Sequence, residues 1–206
     1  MNFRFVWKRT LGLIKSPDST WELIRSEPMQ YRKHFKHFAF PAIIALTFTM
    51  FIGLIGQLIY LPVYDSIIYV IIKTICIFLI YYFTLYVSQR LIFEMGKYFG
   101  INEDSNVIGI LIIYSLAPFF LGSVLSHLLF NYYTLGNFIK FCGVYGIYTF
   151  YKGTFYLINM DNKKRLSFTL TVSISVIIIY FLLYWSLSFI WKWVPPISKY
   201  LIPSNG

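Results

Sequence analysis

A chain of 206 residues that is 58% hydrophobic and 21% aromatic but only 13% charged carries about half the charge of an average soluble domain. Its mean hydropathy of +0.64 and its long apolar runs place it among polytopic membrane proteins, with a length that fits one membrane domain. The net charge of +10 does not point to nucleic acid, because the cations gather at the edges of apolar runs and no soluble basic–aromatic groove accompanies them.

The first stretch, "MNFRFVWKRTLGLIK", mixes basic and aromatic residues instead of building an apolar h-region, so no cleavable signal peptide is predicted. Its spacing predicts an amphipathic helix over 3–15, with Phe3, Val6, Trp7, Thr10 and Ile14 on one face and Arg4, Lys8 and Lys15 on the other. Such a helix lies in the headgroup plane, its cations drawn to anionic lipid; a frayed basic tail is the alternative. "SPDSTWELIRSEP" over 16–28 then reads as a short, punctuated helix. Ser16 and Pro17 suit the N-cap and N1 positions, Ser19 and Glu22 have capping-box spacing, and Pro28 ends the turn. Pro17, Thr20, Trp21 and Ile24 are the candidate interaction residues of this segment. The helix is expected to pack against the inner membrane face, docked chiefly by Trp21 and Ile24, with Trp21 at the headgroup level and Glu22 and Glu27 toward water and within reach of the cations at 163–165; a disordered leader is the alternative. His34 and His37 share a helical face, but with no third ligand nearby they read as interfacial cations rather than a metal site.

Five segments are apolar and long enough to span a membrane: 38–60, 65–89, 106–129, 137–158 and 167–191. The fold class is therefore all-α, a five-span bundle behind a cytoplasmic amphipathic segment (1–37), with a short outer tail (192–206). Of the basic residues, 8 precede the first span, 2 (Arg90, Lys97) lie in the second connection and 3 (Lys163, Lys164, Arg165) in the fourth. The opposite side has only Lys192 and Lys199. The positive-inside rule then puts the N-terminus in the cytoplasm and the C-terminus outside, in the cell (inner) membrane.

Within the spans, Lys73 is the sharpest oddity, since a lysine well inside a span costs about 2.5–3.5 kcal/mol on insertion scales. With His127 and Lys140 approaching from the same outer side, it forms a candidate polar intramembrane cluster. Two readings stand: a cavity for an anionic headgroup, or snorkelling to the outer surface. Lys152, near the inner end of the fourth span, reads as a snorkeller toward phosphates. Pro118, about halfway along the third span, removes one backbone donor and predicts a kink that frees the carbonyl near Tyr114. Cys142, Gly146, Thr149 and Gly153 form a small-residue face on the fourth span, as do Ser167, Thr171 and Ser175 on the fifth. Such faces let helix backbones approach closely in lipid, either closing the bundle or making an oligomer contact. Cys76 and Cys142 lie in apolar runs and read as packing residues. No GxSxG, P-loop, GxGxxG or HExxH pattern occurs, so neither catalysis, a cofactor nor a metal is expected.

Taken in order, "SP…TW..I…EP", a basic approach, "AFPAIIALTFTMFIG", "YSLAPFFLGSVL" and "YGIYTFYKGTFYLINMDNKKR" resemble the Yip (Ypt-interacting protein) domain family in its compact prokaryotic form. Pro17, Thr20, Trp21, Tyr114 and Pro118 carry the most specific part of the likeness. The resemblance implies five spans, a cytoplasmic N-terminus, and a non-enzymatic scaffold or adaptor in membrane organisation or trafficking-like processes. Its partners would be membrane lipids and other membrane proteins, in a homo- or hetero-oligomer. Eukaryotic members contact prenylated small GTPases, but their long Pro/Gly/Gln-rich tail has no counterpart here, so a GTPase partner is not expected. The rival function is a lipid- or small-solute-handling protein built around Lys73.

Overall fold

A computed structural model of the chain describes residues 3–58, 63–128 and 141–192. Among the described residues there are helices and turns but no strand. In chain order they are α1 (Phe3–Lys15), α2 (Pro17–Arg25), α3 (Tyr31–His34), α4 (Phe40–Leu58), α5 (Val63–Tyr98), α6 (Ser105–Ser115), α7 (Ala117–Leu128), α8 (Tyr145–Leu157) and α9 (Asn162–Lys192). A π-helical turn, Phe35–Ala39, joins α3 to α4, and a 3₁₀ turn, Phe141–Val144, leads into α8.

Four helical runs are long and apolar enough to cross a membrane: Tyr31–Gly56, Ile67–Tyr98, Ser105–Leu128 and Asn162–Ile190. They overlap four of the five predicted spans but differ at the ends. The first helix begins at Tyr31 rather than at residue 38, and the second continues to Tyr98 rather than stopping at 89. The predicted 137–158 span is described only from Phe141 on, and α8 itself has 13 residues, fewer than the roughly 20 that a crossing needs.

Two prolines shape the spans. Pro41 has no N–H to donate, and just before it the helix widens so that the Phe40 N–H reaches the carbonyl of Phe35, five residues back. Around Pro118 the third run divides into α6 and α7 with Leu116 as a turn between them. The Ser115 hydroxyl turns back to the Leu111 carbonyl at 2.6 Å, and the Ser115 carbonyl faces α8. A side chain at Gly146 would place its Cβ only 2.9 Å from that oxygen, so this close crossing depends on a glycine.

α9 packs along α5, α4 packs against α5 and α7, and α6 is held between α5 and α8. The packed face of α9 runs through Arg165, Phe168, Thr169 and Val172. Ser167, expected on that face, is exposed, and the Thr171 and Ser175 hydroxyls bond back to their own helix's carbonyls. The bulky Phe168 and Val172 fill the seam that small residues were expected to close; Ser175 alone reaches across, to Met95 Sδ at 3.7 Å. On the outer faces Phe48, Ile71, Ile75, Ile174, Phe181 and Trp185 are exposed. A surface of this kind is matched to hydrocarbon rather than water. In hydrocarbon, side-chain packing and buried hydrogen bonds, not water exclusion, hold helices together.

One end of the bundle gathers three connections. Asn159, between α8 and α9, donates its backbone N–H to Glu103 Oε1, between α5 and α6, at 2.9 Å. Arg25, at the end of α2, and Met29, between α2 and α3, line a pocket with the same two residues.

Candidate functional site

The largest fully buried side chains include Trp21 and Tyr114, and they meet where α1 and α2 dock on the bundle. α2 lies along α8 and drives Trp21 between α8 and α6. The indole Nε1–H donates to the Thr149 carbonyl at 3.1 Å, and the ring meets Tyr114 edge-on, centroids 6.2 Å apart. Gly153 makes the room. A Cβ there would lie 2.6 Å from Trp21 Cζ2 and 2.4 Å from Leu111 Cδ1.

This corrects the interfacial placement of Trp21. An indole on the inward face of a helix that has a glycine-lined slot and a free carbonyl edge opposite gains more from packing plus a hydrogen bond than from the headgroup level. Thr20 and Ile24 are buried too, so Thr20, Trp21 and Ile24 are spent on intramolecular docking and are not a surface for partners. Pro17 starts α2, with Ser16 as N-cap. The Ser19–Glu22 capping box does not form, because Ser19 Oγ donates instead to the Ser16 carbonyl at 3.2 Å. In α1 the packed residues are Arg9, Thr10 and Leu13, whereas Phe3 and Trp7 are about half exposed (49% and 54%). The face that docks is therefore rotated away from the most apolar one.

Tyr114 links this socket to a buried polar chain. Its ring lies 4.4 Å from that of Phe38 and its hydroxyl is 3.0 Å from His34 Nδ1. His34 Nε2 is 3.0 Å from the Pro28 carbonyl. A carbonyl only accepts, so Nε2 carries the proton, neutral Nδ1 is an acceptor, and the Tyr114 hydroxyl donates to it. Glu27 Oε2 lies 3.8 Å from the same Nδ1, while Glu27 Oε1 is ion-paired with Arg9. His34 is thus a buried structural histidine, not an interfacial cation, because the π-turn and Pro28 place acceptor and donor on either side of its ring. Glu27 meets Arg9 rather than the 163–165 cations.

A second polar clasp holds the outer side of α2. Asp18 accepts from Lys152 Nζ at 3.0 and 3.1 Å and from the Tyr156 hydroxyl at 3.0 Å. The Lys152 hydrogen bond, then that of Tyr156, holds the Asp18 carboxyl below its ordinary value. Lys152 therefore has a carboxylate partner within the chain instead of snorkelling to phosphate. Tyr145, two turns before Lys152 on α8, donates its hydroxyl to the Ile14 carbonyl at 3.2 Å.

The predicted intramembrane cluster is not assembled among the described residues. Lys73 Nζ reaches Tyr69 of its own helix, at 3.1 Å from the hydroxyl, and His127 Nδ1 lies 2.6 Å from the carbonyl of Ser123, also its own helix. Lys140 lies outside the described residues. Gly146, Thr149 and Gly153 are buried on α8 toward α6 and Trp21; Cys142 falls in the preceding turn, its side chain outside the described part. Among the described residues no group of three His, Cys, Asp or Glu side chains could hold a metal.

Two cavities among the described residues stand out. One, of about 380 Å³, is apolar and opens between α5, α7, α8 and α9, with Tyr81, Phe119, Phe150, Val176 and Tyr180 among its walls. The other, of about 510 Å³, is polar and lies at the connection end, with Arg25, Glu103, Asn159 and Arg165. Sequence reasoning singled out neither, because each is made by residues from three or more separate helices or connections. No protein-family model, curated protein or solved structure matches the chain.

Proposed function

We propose that the chain is a non-enzymatic membrane scaffold or adaptor of the Yip type. It would make five crossings of the cell membrane, with its N-terminus in the cytoplasm and its C-terminus outside. The observation that carries the reading is the clamped N-terminal hairpin. Trp21 fixes α2 to α8, Thr20 packs against Gly12 of α1, Ile24 is buried, and Asp18 is tied to Lys152. The exposed residues Lys8, Lys15, Glu22, Leu23 and Arg25 then become a rigid outward surface for membrane lipids and other membrane proteins. The convergence of 25–30, 99–104 and 158–161 at one end supports a common cytoplasmic side, since these stretches adjoin most of the chain's cations. A GTPase remains a doubtful partner.

Photo-crosslinking residues at Lys8 and Leu23, in native membranes, test the reading. Discrete protein adducts, including adducts to a second copy, that disappear on Trp21→Ala are the expected result. Adducts to lipid alone would overturn it.

A second reading, lipid or small-solute handling, is favoured by the apolar cavity among Tyr81, Phe119 and Tyr180. Lys73 is not among the residues that line it. A handling protein built on Lys73 would lose function on Lys73→Leu, whereas the scaffold would not.

A further inference from the structure

Arg165 is 5% exposed and its guanidinium lies 3.9 Å from the centre of the Phe155 ring. Nη2 donates to the Met160 carbonyl at 2.9 Å and Nη1 approaches Thr154 Oγ1 at 3.4 Å. Nε is buried without a hydrogen-bond partner. Among the described residues no carboxylate is ion-paired with it. An arginine does not shed its proton, so the chain holds a buried cation satisfied only by neutral acceptors. Such a charge is destabilising unless a counter-charge reaches it.

The polar cavity of about 510 Å³ offers the route, because Arg165 lines it together with Arg25, which is exposed at its edge. Arg25 can present two parallel N–H donors, the geometry that suits phosphate, and each Arg165 Nη keeps one N–H beyond those directed at Met160 and Thr154. Glu103 lines the same space with one carboxylate oxygen on the Asn159 N–H. Its charge disfavours a purely anionic ligand and suits one that carries an ammonium beside the phosphate. The cavity sits beside the connections of the bundle, at the ends of the apolar helices; basic pockets at such span ends recognise lipid headgroups.

We propose that this cavity binds a phosphoethanolamine-type group, the phosphate on Arg165 and Arg25 and the ammonium on Glu103, supplied by a phosphatidylethanolamine headgroup. The proposal needs only the membrane placement of the bundle and stands apart from the scaffold reading.

The purified, delipidated full chain in mild detergent is offered phosphatidylethanolamine, phosphatidylglycerol or inorganic phosphate, with retention read by native mass spectrometry and stabilisation by thermal melting. Phosphatidylethanolamine should be retained in preference to phosphatidylglycerol, and Arg165→Gln or Arg25→Gln should weaken retention about tenfold or more. Glu103→Gln should keep binding and remove the preference. Saturable stabilisation by inorganic phosphate alone, lost in the same arginine variants, would overturn the lipid source while keeping the phosphate site. Equal retention of phosphatidylethanolamine by the unaltered chain, Arg25→Gln and Arg165→Gln would overturn the proposal. Should Arg165→Gln fail to fold, the exposed Arg25 carries the test, since its side chain takes no part in the buried core.

Discussion

The indole of Trp21 and the carbonyl of Thr149 lie 128 positions apart in the chain and are joined by a 3.1 Å hydrogen bond. That bond, and the slot at Gly153 that admits the ring, makes the polar leader a structural part of the bundle. Trp21→Ala removes a fully buried aromatic, which costs about 3–5 kcal/mol, while Trp21→Phe loses chiefly one buried bond and some contact, about 1–2 kcal/mol. Proteolysis of α1 and α2 in detergent should accelerate strongly in the first variant and slightly in the second. Glu22→Gln, on the exposed face, should leave it unchanged.

Gly153→Ala tests the slot from the other side. A methyl group there meets Trp21 Cζ2 at 2.6 Å and Leu111 Cδ1 at 2.4 Å, and overpacking of this kind costs about 1–3 kcal/mol. The two side chains share one volume, so the cost of Gly153→Ala should fall when Trp21 is already alanine. A double-mutant cycle on thermal stability reads that coupling; strict additivity would mean that the clash is relieved elsewhere.

The helical, membrane-suited character was legible because span composition is local: a run such as "AFPAIIALTFTMFIG" states its environment without help from the rest of the chain. Pro118 was legible for the same reason, as a missing donor is a property of one residue. The slot that Trp21 enters was not. Tryptophan satisfies the headgroup level and a buried slot about equally well as a residue type, and only Gly153 and the Thr149 carbonyl, far along the chain, decide between them. The surroundings of Lys73 were not legible either, because depth along a helix does not report its rotation. A tyrosine one turn back in its own helix, Tyr69, gives the ammonium a partner. Arg165 was counted as a topogenic cation, and nothing in "NMDNKKRLS" marks it as the one of three that turns inward.

Acid should loosen the clasp on α2. The Asp18 carboxyl is held below its ordinary value of 3.8, first by the Lys152 hydrogen bond and then by that of Tyr156. A depressed carboxyl contributes stability that is complete above its unfolded pKa and is lost as the pH falls through the folded one. Protease nicking of the hairpin should therefore be flat down to about pH 4 and rise below it. Asp18→Asn should show the raised rate at neutral pH and lose this component of the acid dependence. Because the pair is largely exposed the change is small, and a dependence of equal size in Asp18→Asn would assign it to other carboxylates.

The buried chain from Tyr114 to Pro28 gives the last prediction. His34 Nε2 must donate to the Pro28 carbonyl, so Nδ1 depends on the Tyr114 hydroxyl for its proton. Tyr114→Phe keeps the ring against Phe38 and Trp21 but leaves Nδ1 buried without that donor, a loss of about 1–3 kcal/mol. His34→Phe on its own removes both hydrogen bonds and leaves the Tyr114 hydroxyl buried without its acceptor, while the Pro28 carbonyl keeps the Gln30 N–H at 2.8 Å, so it should be comparably damaging. In the double variant, His34→Phe with Tyr114→Phe, the missing partner of Nδ1 no longer matters, and the loss should be well below the sum of the two. Thermal melting of the four proteins in one detergent measures this. The histidine ring resonances in the unaltered chain add an independent reading, since neutral His34 should show the Nε2-protonated tautomer. A doubly protonated ring at neutral pH would instead mean that Glu27, 3.8 Å away, has taken over from Tyr114 as the partner of Nδ1, and the tyrosine variant would then be nearly silent.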